Sequence, residues 1–144
     1  MIAVDTNILV YAHREESPWH PQALQCLRGL AEGRTAWAIP WPCLVEFLAI
    51  VTHPRLYQPP TPLALALDQV DAWLESPTLF LLNETADFWL MFRSLILSGK
   101  IIGPMVHDAR VAALCLVHEI KELWTADRDF SRFPELPCRN PLFV

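Results

Sequence analysis

The chain has 144 residues, 53% of them hydrophobic, and a formal net charge of −5, which suits one domain with its own core and is too short for two ordinary ones. The acidic balance excludes a nucleic-acid binder that relies on a broad basic face, and no apolar run reaches the ~20 residues of a membrane span, so no membrane partner is expected. A mean hydropathy of +0.25 nevertheless leaves room for apolar surface that a protein partner would cover. The N-terminus lacks a basic region leading into a long apolar stretch, and Cys26, Cys43, Cys115 and Cys138 show no C-x-x-C spacing. A cytoplasmic protein with reduced thiols is therefore expected.

Ile2 to Val4 is short, apolar and mostly β-branched, the pattern of a central strand buried on both faces. Thr6 and Asn7 offer capping side chains for a short helix over Ile8 to Ala12. Pro21 lies near the start of a second helix running to about Glu32, with Ala23, Leu24, Leu27, Leu30 and Ala31 on one stripe and Gly33 as its stop. Ala36 to Ile39 reads as the second strand, ended by Pro40, and Pro42 fits the first turn of a helix that continues to about Thr52. After the loop Pro59-Pro60-Thr61-Pro62 comes a helix over Leu63 to Glu75, with Asp68, Asp71 and Glu75 on its outer side, then a strand over Thr78 to Leu82. Helices over Ala86 to Leu97 and Met105 to Glu119 flank the turn at Gly103-Pro104. A strand over Glu122 to Thr125 follows, and Leu142 to Val144 reads as an edge strand. Strands alternating with helices predict right-handed crossovers and an α/β sandwich, a central mostly parallel sheet of about four to five strands flanked by helices.

Four carboxylates occupy matching places in this pattern. Asp5 follows the first strand, Glu46 interrupts the apolar run Leu44 to Leu48, Asp108 follows Val106-His107, and Asp127 follows the strand ending at Thr125. Ligands of open parallel sheets bind beyond the carboxyl ends of the strands, which brings Asp5 and Asp127 to one edge. Glu46 joins them from the start of the helix after the second strand, and Asp108 joins if its own helix begins at that edge. Asp108 shares a helix face with Val111, Ala112 and Cys115, and Glu46 is surrounded by Phe47, Leu48, Ile50 and Val51, so both are expected to point inward.

Taken singly, the acids have ordinary readings: an N-cap for Asp5, a polar turn for Asp127-Arg128-Asp129, a core acid bonded to Thr6 or Trp41 for Glu46. Together they concentrate negative charge in apolar surroundings, where an unpaired charge is costly or shifts its pKa toward neutrality. Only Arg110 and Arg128 lie within two residues of any of the four. The economical counter-charge is a divalent cation, and hard oxygen donors favour Mg²⁺ or Mn²⁺.

Four strings then stand out: Val4-Asp5-Thr6-Asn7-Ile8-Leu9, Pro42-Cys43-Leu44-Val45-Glu46-Phe47, His107-Asp108-Ala109-Arg110-Val111-Ala112-Ala113-Leu114 and Thr125-Ala126-Asp127-Arg128-Asp129-Phe130. In this order and at these separations they resemble the motifs of PIN-domain ribonucleases, and more narrowly of the VapC toxins of bacterial VapBC toxin-antitoxin pairs. The resemblance spans essentially the whole chain, His53-Pro54-Arg55 and Phe130-Ser131-Arg132-Phe133-Pro134 included, and implies a single PIN domain over residues 1–144. It also implies an acidic quartet, Asp5, Glu46, Asp108 and Asp127, that binds Mg²⁺ or Mn²⁺, with Asp129 as an accessory acid. Thr6, Asn7 and Thr125 correspond to positions that hold the carboxylates or a metal-bound water in place. The chain departs from the family at His107, where Thr or Ser more often precedes the third acid; this side chain is expected to face solvent.

What the resemblance implies is a metal-dependent endoribonuclease toxin that cuts structured RNA such as tRNA or rRNA, forms a homodimer and is held inactive by a VapB-like antitoxin. The alternatives are a PIN nuclease of RNA processing without an antitoxin and a catalytically inactive RNA-binding PIN module. An intact quartet argues against the inactive module, because carboxylates without metal only repel one another. Arg14, Arg55, Arg110, Arg128 and Arg132 are candidate phosphate contacts. Trp19, Trp37, Trp41 and Trp89 can stack on unpaired bases, although tryptophans more often serve a core or a dimer contact.

Overall fold

The computed structural model describes residues 1–143. Its strands are β1 (Ile2–Val4), β2 (Trp37–Pro40), β3 (Leu79–Leu82), β4 (Glu122–Trp124) and β5 (Cys138–Arg139), and its helices are α1 (Thr6–His13), α2 (His20–Ala31), α3 (Trp41–Val51), α4 (Leu63–Leu74), α5 (Phe88–Gly99) and α6 (Met105–Val117), with a 3-10 turn over Arg128–Arg132. The strands form one sheet in the order β3-β2-β1-β4-β5, every neighbouring pair parallel. Parallel neighbours need crossovers, and right-handed crossovers put the helices of the β1-to-β2-to-β3 path on one face and those entering β4 on the other. The packing agrees: α1 lies against α2 and α3, α3 against α4, and α5 against α6. The chain therefore leaves β1 and β4 in opposite directions, and between these two adjacent strands a crevice opens at the carboxyl edge.

The element boundaries differ from the sequence reading in instructive places. The first helix begins at Thr6, because the cap is Asp5, whose Oδ1 accepts the Thr6 N–H at 2.8 Å. Thr6 and Asn7 lie inside the helix, and the Asn7 side chain is used elsewhere. The second helix ends at Ala31, and a glycine is needed just past its end because a Cβ on Gly33 would sit 2.6 Å from the Gly29 carbonyl oxygen. Gly99 is the last residue of α5, and the left-handed position that ends this helix is Lys100, at φ 51°. The edge strand at the C-terminal end is Cys138–Arg139, paired with β4, whereas Leu142 is a buried turn residue. The edge strand expected over Leu142 to Val144 is thus misplaced, and Val144 lies outside the described residues. The Pro-rich tail hid the true strand, which is two residues long and too short to show alternation.

The core is filled by Trp37, Phe47, Phe130 and Phe133 together with aliphatic residues of β1, β2, α1, α3 and α6. Trp37 is fully buried and its indole N–H donates to Ser76 Oγ at 3.1 Å, so this tryptophan is structural. Asp68, Asp71 and Glu75 are exposed as expected. Cys43 and Cys115 are buried free thiols, Cys26 is half-buried and Cys138 exposed. No described helix is long and apolar enough to cross a membrane.

Candidate active site

At the β1/β4 crevice the end of each strand is tied to the other through Asn7. Its Nδ2 donates to Asp5 Oδ2 and to Thr125 Oγ1, each at 3.2 Å, and its Oδ1 accepts the Ala126 N–H at 3.0 Å. Thr125 completes the knot by donating its hydroxyl to Asp5 Oδ2 at 2.8 Å while its oxygen accepts the Asp127 N–H at 3.0 Å. Asp5 is consequently held by four donors, the fourth being the Cys43 thiol at 3.5 Å from Oδ1. The sequence reading treated Cys43 only as a buried thiol. The available signal was its place one helical turn before Glu46, on a neighbouring strip of the same helix.

Removing the Asn7 amide tests this stitching. Asn7→Ala orphans part of the bonding capacity of Asp5, Thr125 and the Ala126 N–H, and losses of this kind cost about 1–3 kcal/mol. Urea denaturation is expected to register that loss, and cleavage is expected to fall further than stability because both strand ends lose alignment. An unchanged denaturation midpoint would show that the knot is not structural.

A cleft of about 400 Å³ opens in front of this knot, lined by Asp5, Thr6, Asn7, Glu46, Asp108 and Asp127 among others. All four acids of the expected quartet thus face one space. The helix α6 joins β4 through residues 118–121, so it runs back against the strands and its first turn, with Asp108, lies toward the carboxyl edge. Single oxygens of Asp108, Asp127 and Asp129 come within 4.8 Å of one another. Asp5 stands behind them in the knot. Glu46 departs from the expectation of an inward side chain: as a residue it is exposed, on a helix flank with Val45 (64% exposed) and Ala49, and its carboxyl end turns into the cleft. The inward-facing positions of α3 are Cys43, Leu44, Phe47 and Val51, so the core reading of Glu46 fails. Asp108 is half-buried, at the cleft wall, and His107 is exposed at the rim.

Among the described residues no ion pair compensates the charge of the cleft. Burial, then repulsion by Asp127, Asp5, Asp129 and Glu46, pushes the Asp108 carboxyl from 3.8 up to about 7. Burial also raises Asp5, against the lowering by its Thr125 and Thr6 hydrogen bonds, and burial followed by the Asp5 charge raises Glu46. Arg110 lines the cleft but its Nε donates to Glu84 at 2.7 Å, so it is committed to another carboxylate. Closely spaced carboxylate oxygens lacking a paired cation form a donor set for a hard divalent ion.

An acidic cleft at the carboxyl edge of a parallel sheet defines an α/β protein with a candidate site for a divalent cation. The PIN domain profile matches residues 2–136. The ribonuclease VapC48 of Mycobacterium tuberculosis is 30% identical over 137 residues, covering 95% of this chain and 94% of that protein, and the VapC ribonuclease Mb2897 of Mycobacterium bovis is 35% identical over 142 residues, covering 99% and 96%. The fold recurs in VapBC2 of Rickettsia felis, solved bound to a DNA fragment from its promoter, with TM-score 0.71 and 23% identity over 96% of this chain and 98% of that one. The chain belongs to the PIN domain family, among the VapC ribonucleases.

Proposed function

We propose that the protein, a single PIN domain over residues 1–144, is the toxin of a type II toxin-antitoxin pair: a metal-dependent endoribonuclease that hydrolyses phosphodiester bonds in structured RNA, tRNA or rRNA, in the cytoplasm. A VapB-like antitoxin holds it inactive, and the ion is Mg²⁺ or Mn²⁺, the hard cations that carboxylate oxygens favour. The observation that carries this reading is the convergence of Asp5, Glu46, Asp108 and Asp127 on one cleft, with Asp108 pushed up to about 7 by its neighbours. A divalent cation held by these carboxylates would supply Lewis acidity, lowering the pKa of water and offsetting charge that develops on a phosphodiester.

The chain's own residues do the rest. Asp108 and Asp127, with Asp129 as accessory, offer the closest oxygens to the ion. Asp5, pinned by Thr6, Asn7 and Thr125, fixes the floor of the site, and Glu46 at the mouth is a further ligand, direct or through water. A homodimer uses the apolar surface of α5 and the turn after it, where Trp89, Leu90, Leu97 and Ile102 are 60–82% exposed.

The test is cleavage of total cellular RNA by purified protein with Mn²⁺ or Mg²⁺, alongside EDTA, with new 5′ ends mapped. Discrete cuts that vanish in EDTA are expected. Metal bound with no RNA cut would count against the nuclease, and no metal binding would leave an inactive module.

A further inference from the structure

A second cavity, of about 820 Å³, lies beside the catalytic cleft and shares Asp127 with it. Its walls come from three separate parts of the chain. Tyr11 and Trp19 belong to α1 and the start of α2, Arg128 follows the end of β4, and Arg139, Asn140 and Phe143 come from the edge strand and the segment after it. Arg139 is fixed in register: Trp124 pairs with it across the sheet, and the Thr125 N–H donates to its carbonyl at 2.9 Å. Trp19 is half-buried and stands edge-on to Phe143, ring centres 5.0 Å apart.

Charge separates the two flanks of the acidic cleft. On the α3 side the rim is apolar, with Trp41 and Val45 exposed, and Arg110 is taken by Glu84. On the other side Arg128 and Arg139 are exposed and enter no ion pair among the described residues. Of the other arginines suggested by the sequence, Arg14 is paired with Glu16 and Arg132 donates to the Gly99 carbonyl at 2.8 Å. A polyanion that crosses an acidic site on a protein of charge −5 must find cations locally, and of the three arginines that line the two cavities, the two without a carboxylate partner, Arg128 and Arg139, lie on one side.

We propose that this second cavity is the subsite for an unpaired nucleotide of the RNA next to the scissile phosphate, with Arg128 and Arg139 on backbone phosphates and Trp19 stacking on the base. The volume is in the range of small-molecule pockets, and an aromatic platform beside paired guanidinium groups is how single strands are held. The proposal rests on the ribonuclease reading above and adds which residues set grip and site preference.

The test uses the full-length protein, a short RNA spanning a mapped cleavage site, and KM and kcat measured at several salt concentrations. Trp19→Ala is expected to raise KM roughly 10- to 100-fold with kcat nearly unchanged, and Trp19→Phe to restore most of it. Arg139→Ala is expected to raise KM and also flatten the salt dependence, by about 0.7 in log-log slope for one lost phosphate contact, with Arg139→Lys keeping the wild-type slope. Circular dichroism melting checks that each variant is folded. Wild type that cuts RNA while folded Arg128→Ala, Arg139→Ala and Trp19→Phe variants all match its KM, slope and cut positions, with Trp19→Ala no different from Trp19→Phe, would overturn the subsite and leave the nuclease standing. Wild type that binds metal and cuts no RNA would remove both.

Discussion

Asp108→Asn is expected to leave the protein folded and to reduce metal-dependent cleavage on the order of a hundredfold or more, the scale of losing a few kcal/mol of transition-state stabilisation. The carboxyl lies at the wall of the cleft and feels every other acid in it: Asp127, Asp5, Asp129 and Glu46 all raise it. No side-chain hydrogen bond among the described residues depends on it, in contrast to Asp5, which caps α1 and anchors the Asn7 and Thr125 network. Asparagine keeps the shape and removes the charge, so the variant separates ion binding from structure. The readouts are cleavage rate and the melting shift on adding Mn²⁺, which a working site gives by linkage. Equal shifts in wild type and variant would show that the ion does not sit against Asp108.

The same variant has a pH signature in metal-free protein. The folded pKa of about 7 exceeds the ordinary 3.8, so between these values the folded state binds more protons than the unfolded one. Stability from this group is therefore fully present below about pH 4 and is lost as pH rises toward 7. Asp108→Asn is expected to flatten that part of the stability curve. With metal present the order reverses, because the cation favours the ionised carboxylate and binding releases a proton below pH 7. Metal affinity that does not weaken on acidification through this window would contradict the competition.

How much of this was legible in the chain depends on the length of the signal. The strands β1 and β2, each a short β-branched or apolar run, were placed within a residue, and the alternation with helices predicted a mostly parallel sheet. Asp5 and Asp127 were legible as site residues because they close strands at one edge, which is a property of topology. Glu46 was assigned to the right cleft with the wrong orientation: the apolar Val45 and Ala49 beside it are exposed, so the hydrophobicity of the helix misreported its buried face. The edge strand Cys138–Arg139 was invisible, and with it the placement of Arg139, since a pairing of two residues carries no periodicity and is fixed only by β4 beside it. The resemblance marked Asn7 as a residue that holds the carboxylates, but its bond to Thr125 and that of Cys43 to Asp5 span 118 and 38 residues of chain, and those partners depend on side-chain direction in the folded sheet.

The largest loss of stability is expected from Phe47→Ala, at about 3–5 kcal/mol. Phe47 is fully buried next to Glu46 and meets two rings edge-on: His13 of α1, with centres 5.3 Å apart, and Trp73 of α4, at 4.8 Å. His13 is itself fixed by Gln69 Oε1 at 3.1 Å and Thr61 Oγ1 at 3.0 Å, so the neighbours cannot easily collapse into the space the ring leaves. A cavity persists where collapse is blocked, which places the cost toward the upper part of the range. Against a typical total of 5–15 kcal/mol this removes a large share, and for a chain of 144 residues it lowers the melting temperature by roughly 10 °C. Val45→Ala, on the exposed side of the same helix, serves as the control and is expected within about 0.5 kcal/mol of wild type. Because α3 delivers Glu46 to the cleft and Phe47 is the largest of the four side chains that seat this helix, cleavage is expected to fail in Phe47→Ala at temperatures where the control still works. A loss below 1 kcal/mol in urea denaturation would mean that the helix holding Glu46 is seated by contacts other than the Phe47 ring.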